Sequence, residues 1–291
     1  MKKYIYLLLL IPSVLFSQED DLLSELESEQ DTTKIVTTSA FKALKIVNLE
    51  STKLVANKEL FMVISHRFGS IQGGFKELFG LDQAATRIHF IYGLNDWLNV
   101  GLSRSSFQKT WEFNTKYRLF RQVEQGFPIT VVGFNSLAIN GAIEDDFLPN
   151  LEFKHRLSYT SQLLISRKFN KNLSLELAPS ILHENLAPTF IFGNEASEQE
   201  NTQYILGLGG RYKISKRVSL NIDYACHLNR NEYSKEDNAL SVGVDIETGG
   251  HVFQLHFTNA QPSYEAGFLG GANGDWETGD VFFGFNLSRT F

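Results

Sequence analysis

The side chains able to do chemistry in this 291-residue chain recur in one setting, as charged or imidazole groups alternating with apolar ones. On the polar parity of such stretches lie Arg87, His89, Glu112, Lys116, Arg118, Arg156, Glu176, Arg211, Lys213, Asp223, Asp245, Glu247 and His256. Charges of both signs on one side of a sheet have two natural uses. They line a constriction that selects a small solute by charge and width, or they pair with one another and prop a narrow lumen shut. The candidate binding set is Arg87, Glu112, Lys116, Arg118, Arg156, Glu176, Arg211, Asp223, Asp245 and His256. Mutual pairing is the expectation for most of them.

Covalent or metal chemistry finds little support. The polar residues that stray onto the apolar parity are His66 and Ser161, on non-neighbouring strands, and no His-x-Ser spacing occurs. A nucleophile needs its base within hydrogen-bond reach, so the chain is not expected to be an enzyme, and His66 reads as an interfacial residue. The seven histidines form no HExxH pattern and the single cysteine, Cys226, excludes a CxxC pair, so neither a metal nor a cofactor is expected. Gly207-Leu-Gly-Gly210 is not followed by a helix and is no phosphate-binding loop. The formal net charge of -6 disfavours nucleic acid as a partner, because phosphate contact needs clustered Lys and Arg.

The elements that must position these groups are strands. In 218–229, Val218, Leu220, Ile222, Tyr224, Cys226 and Leu228 share one parity, while Ser219, Asn221, Asp223, Ala225, His227 and Asn229 share the other. A period of two is the mark of a strand with unlike faces. Twelve such strands are expected, near 59–68, 85–93, 97–106, 110–120, 128–136, 154–169, 173–184, 202–214, 218–228, 239–248, 251–259 and 279–291. Their register follows from the turns. A Gly249-Gly250 turn pairs Ile246 with Phe253 and Val244 with Leu255, and the 215–217 loop pairs Tyr212 with Leu220 and Leu208 with Tyr224. The loop 170–172 pairs Phe169 with Leu173 and Ile165 with Leu177, and a turn centred on Asn95 sets Tyr92 against Leu98 and Phe90 against Val100. Short turns alternate with long loops, the strand number is even and the strands run to about ten residues, which describes a transmembrane antiparallel up-and-down β-barrel.

The remaining segments fix the compartment. Lys2, Lys3 and the apolar run Tyr4 to Phe16 before Ser17 read as a signal peptide over 1–17, too short for a spanning helix. Residues 18–57 form an N-terminal periplasmic segment, acidic at first and a possible lumen plug, and 58–291 form the barrel. This arrangement predicts a bacterial outer-membrane location with both termini periplasmic and outer-membrane lipid as the surrounding partner. Aromatics near both strand ends, such as Tyr92, Trp97, Trp111 and Tyr159, fit interfacial girdles. The terminal strand ends on Phe291 and is similar to the signal read by the barrel assembly machinery.

The strings Ile64-Ser-His-Arg-Phe-Gly69, Glu77-Leu-Phe-Gly-Leu-Asp-Gln83, Ile214-Ser-Lys-Arg-Val-Ser-Leu220, the stretch 245–259, Gly279-Asp280 and the ending Phe-Asn-Leu-Ser-Arg-Thr-Phe291 resemble a family of outer-membrane β-barrels of Gram-negative bacteria known only as a domain of unknown function. The resemblance covers roughly residue 40 onward. It implies fold and location and carries no catalytic or ligand residues. The function expected is a passive channel or solute-binding barrel for a small solute; the alternative is a non-conducting structural or surface-ligand-binding barrel with a plugged lumen.

Overall fold

The computed structural model describes residues 36–143, 150–192, 195–248 and 251–291. The expected signal peptide, the acidic stretch 18–35 and the Gly249-Gly250 turn therefore lie outside the described residues.

Twelve strands close into one antiparallel barrel: β1 (Leu60–Ser70), β2 (Ala84–Gly93), β3 (Leu98–Ser105), β4 (Trp111–Phe120), β5 (Thr130–Ile139), β6 (Leu157–Lys168), β7 (Leu173–Glu184), β10 (Thr202–Lys213), β11 (Val218–His227), β12 (Ala239–Thr248), β13 (His251–Thr258) and β14 (Phe282–Thr290). Each pairs with its neighbour in sequence, and β14 returns to β1 to close the ring. A small hairpin, β8 (Thr189–Phe192) with β9 (Glu195–Glu198), forms a separate sheet in the loop between β7 and β10. Closure leaves no strand edge unpaired, which is what lets a sheet stand in lipid. The alternation decides the facing. Ile88, Phe90 and Tyr92 point out and are exposed, as are Leu220 and Ile222, and Phe253, Leu255 and Phe257, whereas the polar parity between them points in and is buried.

The sequence-derived registers of β6–β7, β10–β11 and β12–β13 match the structure: Ile165 faces Leu177, Tyr212 faces Leu220, and Val244 faces Leu255. The β2–β3 register differs. Tyr92 faces Val100 and Phe90 faces Leu102, a slip of two from the expected pairs. The cause is the turn. Leu94 and Asn95 both donate backbone N–H groups to the Leu98 carbonyl, and the Asn95 Oδ1 accepts from the Trp97 N–H at 2.9 Å, so the reversal is centred on Asp96. A slip of two keeps every side chain on its face, so parity alone cannot detect it.

That register is directly testable. In a Cys226→Ala background, Tyr92→Cys with Val100→Cys is expected to form a disulfide in the folded barrel, because directly opposed residues fall within disulfide reach. Tyr92→Cys with Leu98→Cys is expected to stay reduced, as read by non-reducing electrophoresis.

Candidate functional site

The lumen is occupied. Residues 40–55, ahead of β1, run inside the barrel, and nearly every one of them is buried, while 36–39 and 56–58 are mostly exposed at its mouth. From the opposite end, the loop between β13 and β14 folds inward and carries a short helix, α1 (Glu265–Gly270), with Phe268 and Leu269 buried. Phe41, Ile46 and Leu49 of the N-terminal segment share an apolar cluster with Tyr264, Phe268 and Leu269 of that loop and with Leu182 and Ile205 of the wall. Two glycines of β10 make the room. A Cβ on Gly209 would stand 2.2 Å from the Ile46 side chain, and one on Gly207 would stand 3.1 Å from that of Leu49.

A segment without strand partners must find other partners for its backbone, and the wall side chains supply them. One carboxylate oxygen of Asp223 accepts the backbone N–H groups of Val47, Asn48 and Leu49 at 2.9, 2.7 and 2.9 Å. Glu176 accepts the Thr52 N–H at 3.0 Å. Asn99 brackets Val55, accepting its N–H at 2.8 Å and donating to its carbonyl at 3.0 Å. Gln254 donates to the carbonyls of Lys45 and Ile46, and Asn286 to that of Val47. Arg67 reaches Asn48 Oδ1 at 2.9 Å.

Charges complete the seal. Lys45, 6% exposed, bridges Glu50 of its own segment at 3.1 Å to Glu265 of the inward loop. Lys116 of β4 pairs with Glu50 at 2.5 Å and donates to the carbonyls of Leu44 and Ser51. Arg87 of β2 pairs with Glu112 of β4 and lies 3.5 Å from Glu265. One lattice thus ties the N-terminal segment, the inward loop and two strands. Burial pushes the Glu50 carboxyl up, but the ammonium groups of Lys116 and Lys45 outweigh it and hold Glu50 well below the usual carboxylate range. Burial, with Glu112 close by, pushes Glu265 well above that range. On acidification Glu265 therefore takes up a proton before Glu50 does. The lattice leaves a void of about 20 Å³ among Lys45, Glu50, Arg87, His89 and Asn114, room for a single water.

Of the ten residues picked from sequence, Arg87, Glu112, Lys116, Glu176, Arg211, Asp223, Asp245 and His256 are buried on the inner wall. Four of them, Arg87, Glu112, Lys116 and Glu176, meet the N-terminal segment or the lattice, and Asp223 is the chief anchor. Arg211 instead pairs with Glu247 at 2.9 Å near the short-turn end, where Glu247 also meets Lys42. Asp245 accepts from Gln254, and His256 sits between Gly243, which faces its Cβ, and Gly284, which faces its ring, on the flanking strands. Arg118 keeps the inward parity, opposite the buried Val132, but sits at the short-turn mouth, where it donates to the Asp96 carbonyl and lines a pocket with Thr52, Leu54 and Val55. Arg156 lies in a 3-10 turn ahead of β6 and bonds the Ile143 carbonyl. His66 is on the outer face, stacked on Phe285 with ring centroids 5.3 Å apart, and Ser161 accepts a hydrogen bond from Asn135, not from an imidazole.

The key residues that parity did not single out are Lys45, Glu50 and Glu265. A signal for their seat existed: Val132, Phe134, Leu164, Leu182 and Ile205 are apolar on the inward parity and fully buried. Beyond the inward loop, a cavity of about 210 Å³ opens toward the long-loop end, lined among others by Glu184, Gln203, Arg230, Glu236 and Tyr264.

Fold and interior together define a membrane β-barrel closed by its own chain. Residues 41–291 match the family described as "Membrane bound beta barrel domain (DUF5777)". The chain belongs to that family. Among solved structures, NanC porin has a similar fold, with a TM-score of 0.50 and 10% identity over 80% of this chain and 98% of its own. KdgM porin (TM-score 0.45, 9% identity, 79% and 98% covered) and an outer membrane channel from Pseudomonas putida F1 (0.45, 14%, 82% and 97%) are also found. Comparison with curated proteins finds no match.

Removing the central cation exposes the worth of the lattice. Lys45→Met leaves buried carboxylates short of a partner and is expected to destabilise the fold by on the order of 3–5 kcal/mol. Lys42→Met, which removes a solvent-exposed pair, is expected to cost less than about 1 kcal/mol. The denaturant midpoint of heat-modifiable gel migration reads both.

Proposed function

We propose that the protein is an outer-membrane barrel closed at rest by residues 36–58 and the inward β13–β14 loop, meeting solutes at its outer cavity and conducting them only when that closure is displaced. The supporting observation is Lys45, which joins the N-terminal segment to the inward loop across the lumen through Glu50 and Glu265. An open channel of this strand number would keep a continuous water path, whereas here side chains and a backbone segment fill it. The porin-like fold and the family description support an outer-membrane setting. On this reading the short turns and both termini face the periplasm and the long loops face outward.

The closure is held by hydrogen bonds and ion pairs together with three apolar clusters, which take in Phe41, Ile46 and Leu49, then Leu44 and Val55, then Leu54. The polar part of this seat is exchangeable, since water or a solute can replace each bond in turn. The cavity wall offers carboxylate, guanidinium, amide and aromatic groups together, suited to a small polar solute. The terminal strand ending on Phe291 would serve insertion by the barrel assembly machinery.

Planar-bilayer recording tests the reading. The full chain is expected to show no sustained conductance. Gly209→Val, which fills the slot of Ile46, and Asp223→Ala, which frees three backbone N–H groups, are each expected to produce discrete steps in a barrel that still shows heat-modifiable migration. Large stable steps from the unaltered protein would contradict the closed state.

A further inference from the structure

The outer surface holds one feature that the closed lumen does not explain. Asn135 points outward from β5, five residues after its first and four before its last, and so lies near mid-depth of the membrane. It is the one outward-facing carboxamide among the described strand residues. In register beside it stand Thr115 of β4 and Ser161 of β6, both outward. The Asn135 Nδ2 donates to Ser161 Oγ at 2.7 Å, and its Oδ1 accepts from the Tyr117 hydroxyl at 3.2 Å. The Tyr117 ring lies flat over Gly133, where a Cβ would come within 2.3 Å of it.

A carboxamide carries two N–H donors and two acceptor lone pairs. One of each is used within the barrel, leaving one donor and one acceptor at a depth where lipid offers neither. Polar side chains so placed are costly, and in membranes they act as association sites. The unused donor and acceptor belong to one planar group, so the patch is complementary to itself. A second copy turned about a two-fold axis presents its acceptor to the donor and its donor to the acceptor, the isologous arrangement. The glycine beneath the tyrosine ring keeps this part of the wall low, and Leu137, Leu163 and Ile181 around it are apolar.

We propose that the β4–β6 face is the interface between two copies of this chain in the membrane, with the two Asn135 side chains paired across the axis. The occupant is a second copy because the free groups on the patch match themselves. An acyl chain has no group to offer them.

Cross-linking in intact membranes tests this. In a Cys226→Ala background, Leu137→Cys is expected to give a disulfide-linked dimer on mild oxidation, whereas Leu220→Cys, lipid-facing on β11, is not. Asn135→Leu added to Leu137→Cys is expected to lower the dimer yield about tenfold or more. Heat-modifiable migration should remain, since leucine suits a lipid-facing strand position. Equal cross-linking at 137 and 220, a cross-link from 137 only to some other chain, or a dimer yield untouched by Asn135→Leu would each overturn the proposal.

Discussion

A chain that enters the lumen of a β-barrel without joining its sheet brings backbone N–H and C=O groups with no ladder to pair them, and burying those groups unpaired is costly. Most of the interior follows from that constraint. Asp223, Glu176, Asn99, Gln254 and Asn286 lie on five different strands, yet each gives at least one polar atom to the backbone between Lys45 and Val55. The single Asp223 oxygen that gathers three successive N–H groups acts as a sheet edge would, holding the segment at one depth. Lys45, Glu50, Lys116 and Glu265 then settle the charge that the segment and the loop bring with them.

The same constraint orders the apolar residues. Ile46 and Leu49 fit where β10 has glycines, and the inward wall turns apolar at Val132, Leu164 and Leu182, facing the segment and the loop. The interior is thus a second, small folded core. It is bounded by a barrel wall whose other face answers to lipid, and the two faces carry separate requirements residue by residue.

Much of this was legible from the chain alone. Period-two alternation located the twelve barrel strands, and turn symmetry set three of the four registers tested, because a slip of one exposes the wrong face. The β2–β3 register escaped because a slip of two does not. The inner-wall charges were legible as a group, since parity assigns facing within a strand; Arg118 and Arg156 lie toward the strand ends, away from the lattice. Lys45, Glu50 and Glu265 were not legible as site residues, because they lie in segments with no period and Lys45 meets Glu265 across 220 positions of the chain. The apolar intrusions at Val132, Phe134 and Leu164 were visible, and their meaning depends on knowing that something sits against them.

The most direct measurement of the central claim is amide hydrogen exchange of the full chain in a lipid bilayer. The account predicts that the N–H groups of Val47, Asn48, Leu49, Thr52 and Val55 exchange about as slowly as those of the barrel strands, since each has a buried acceptor. Exchange of these five at the rate of free peptide, with the strands still protected, would contradict it and leave the lumen open.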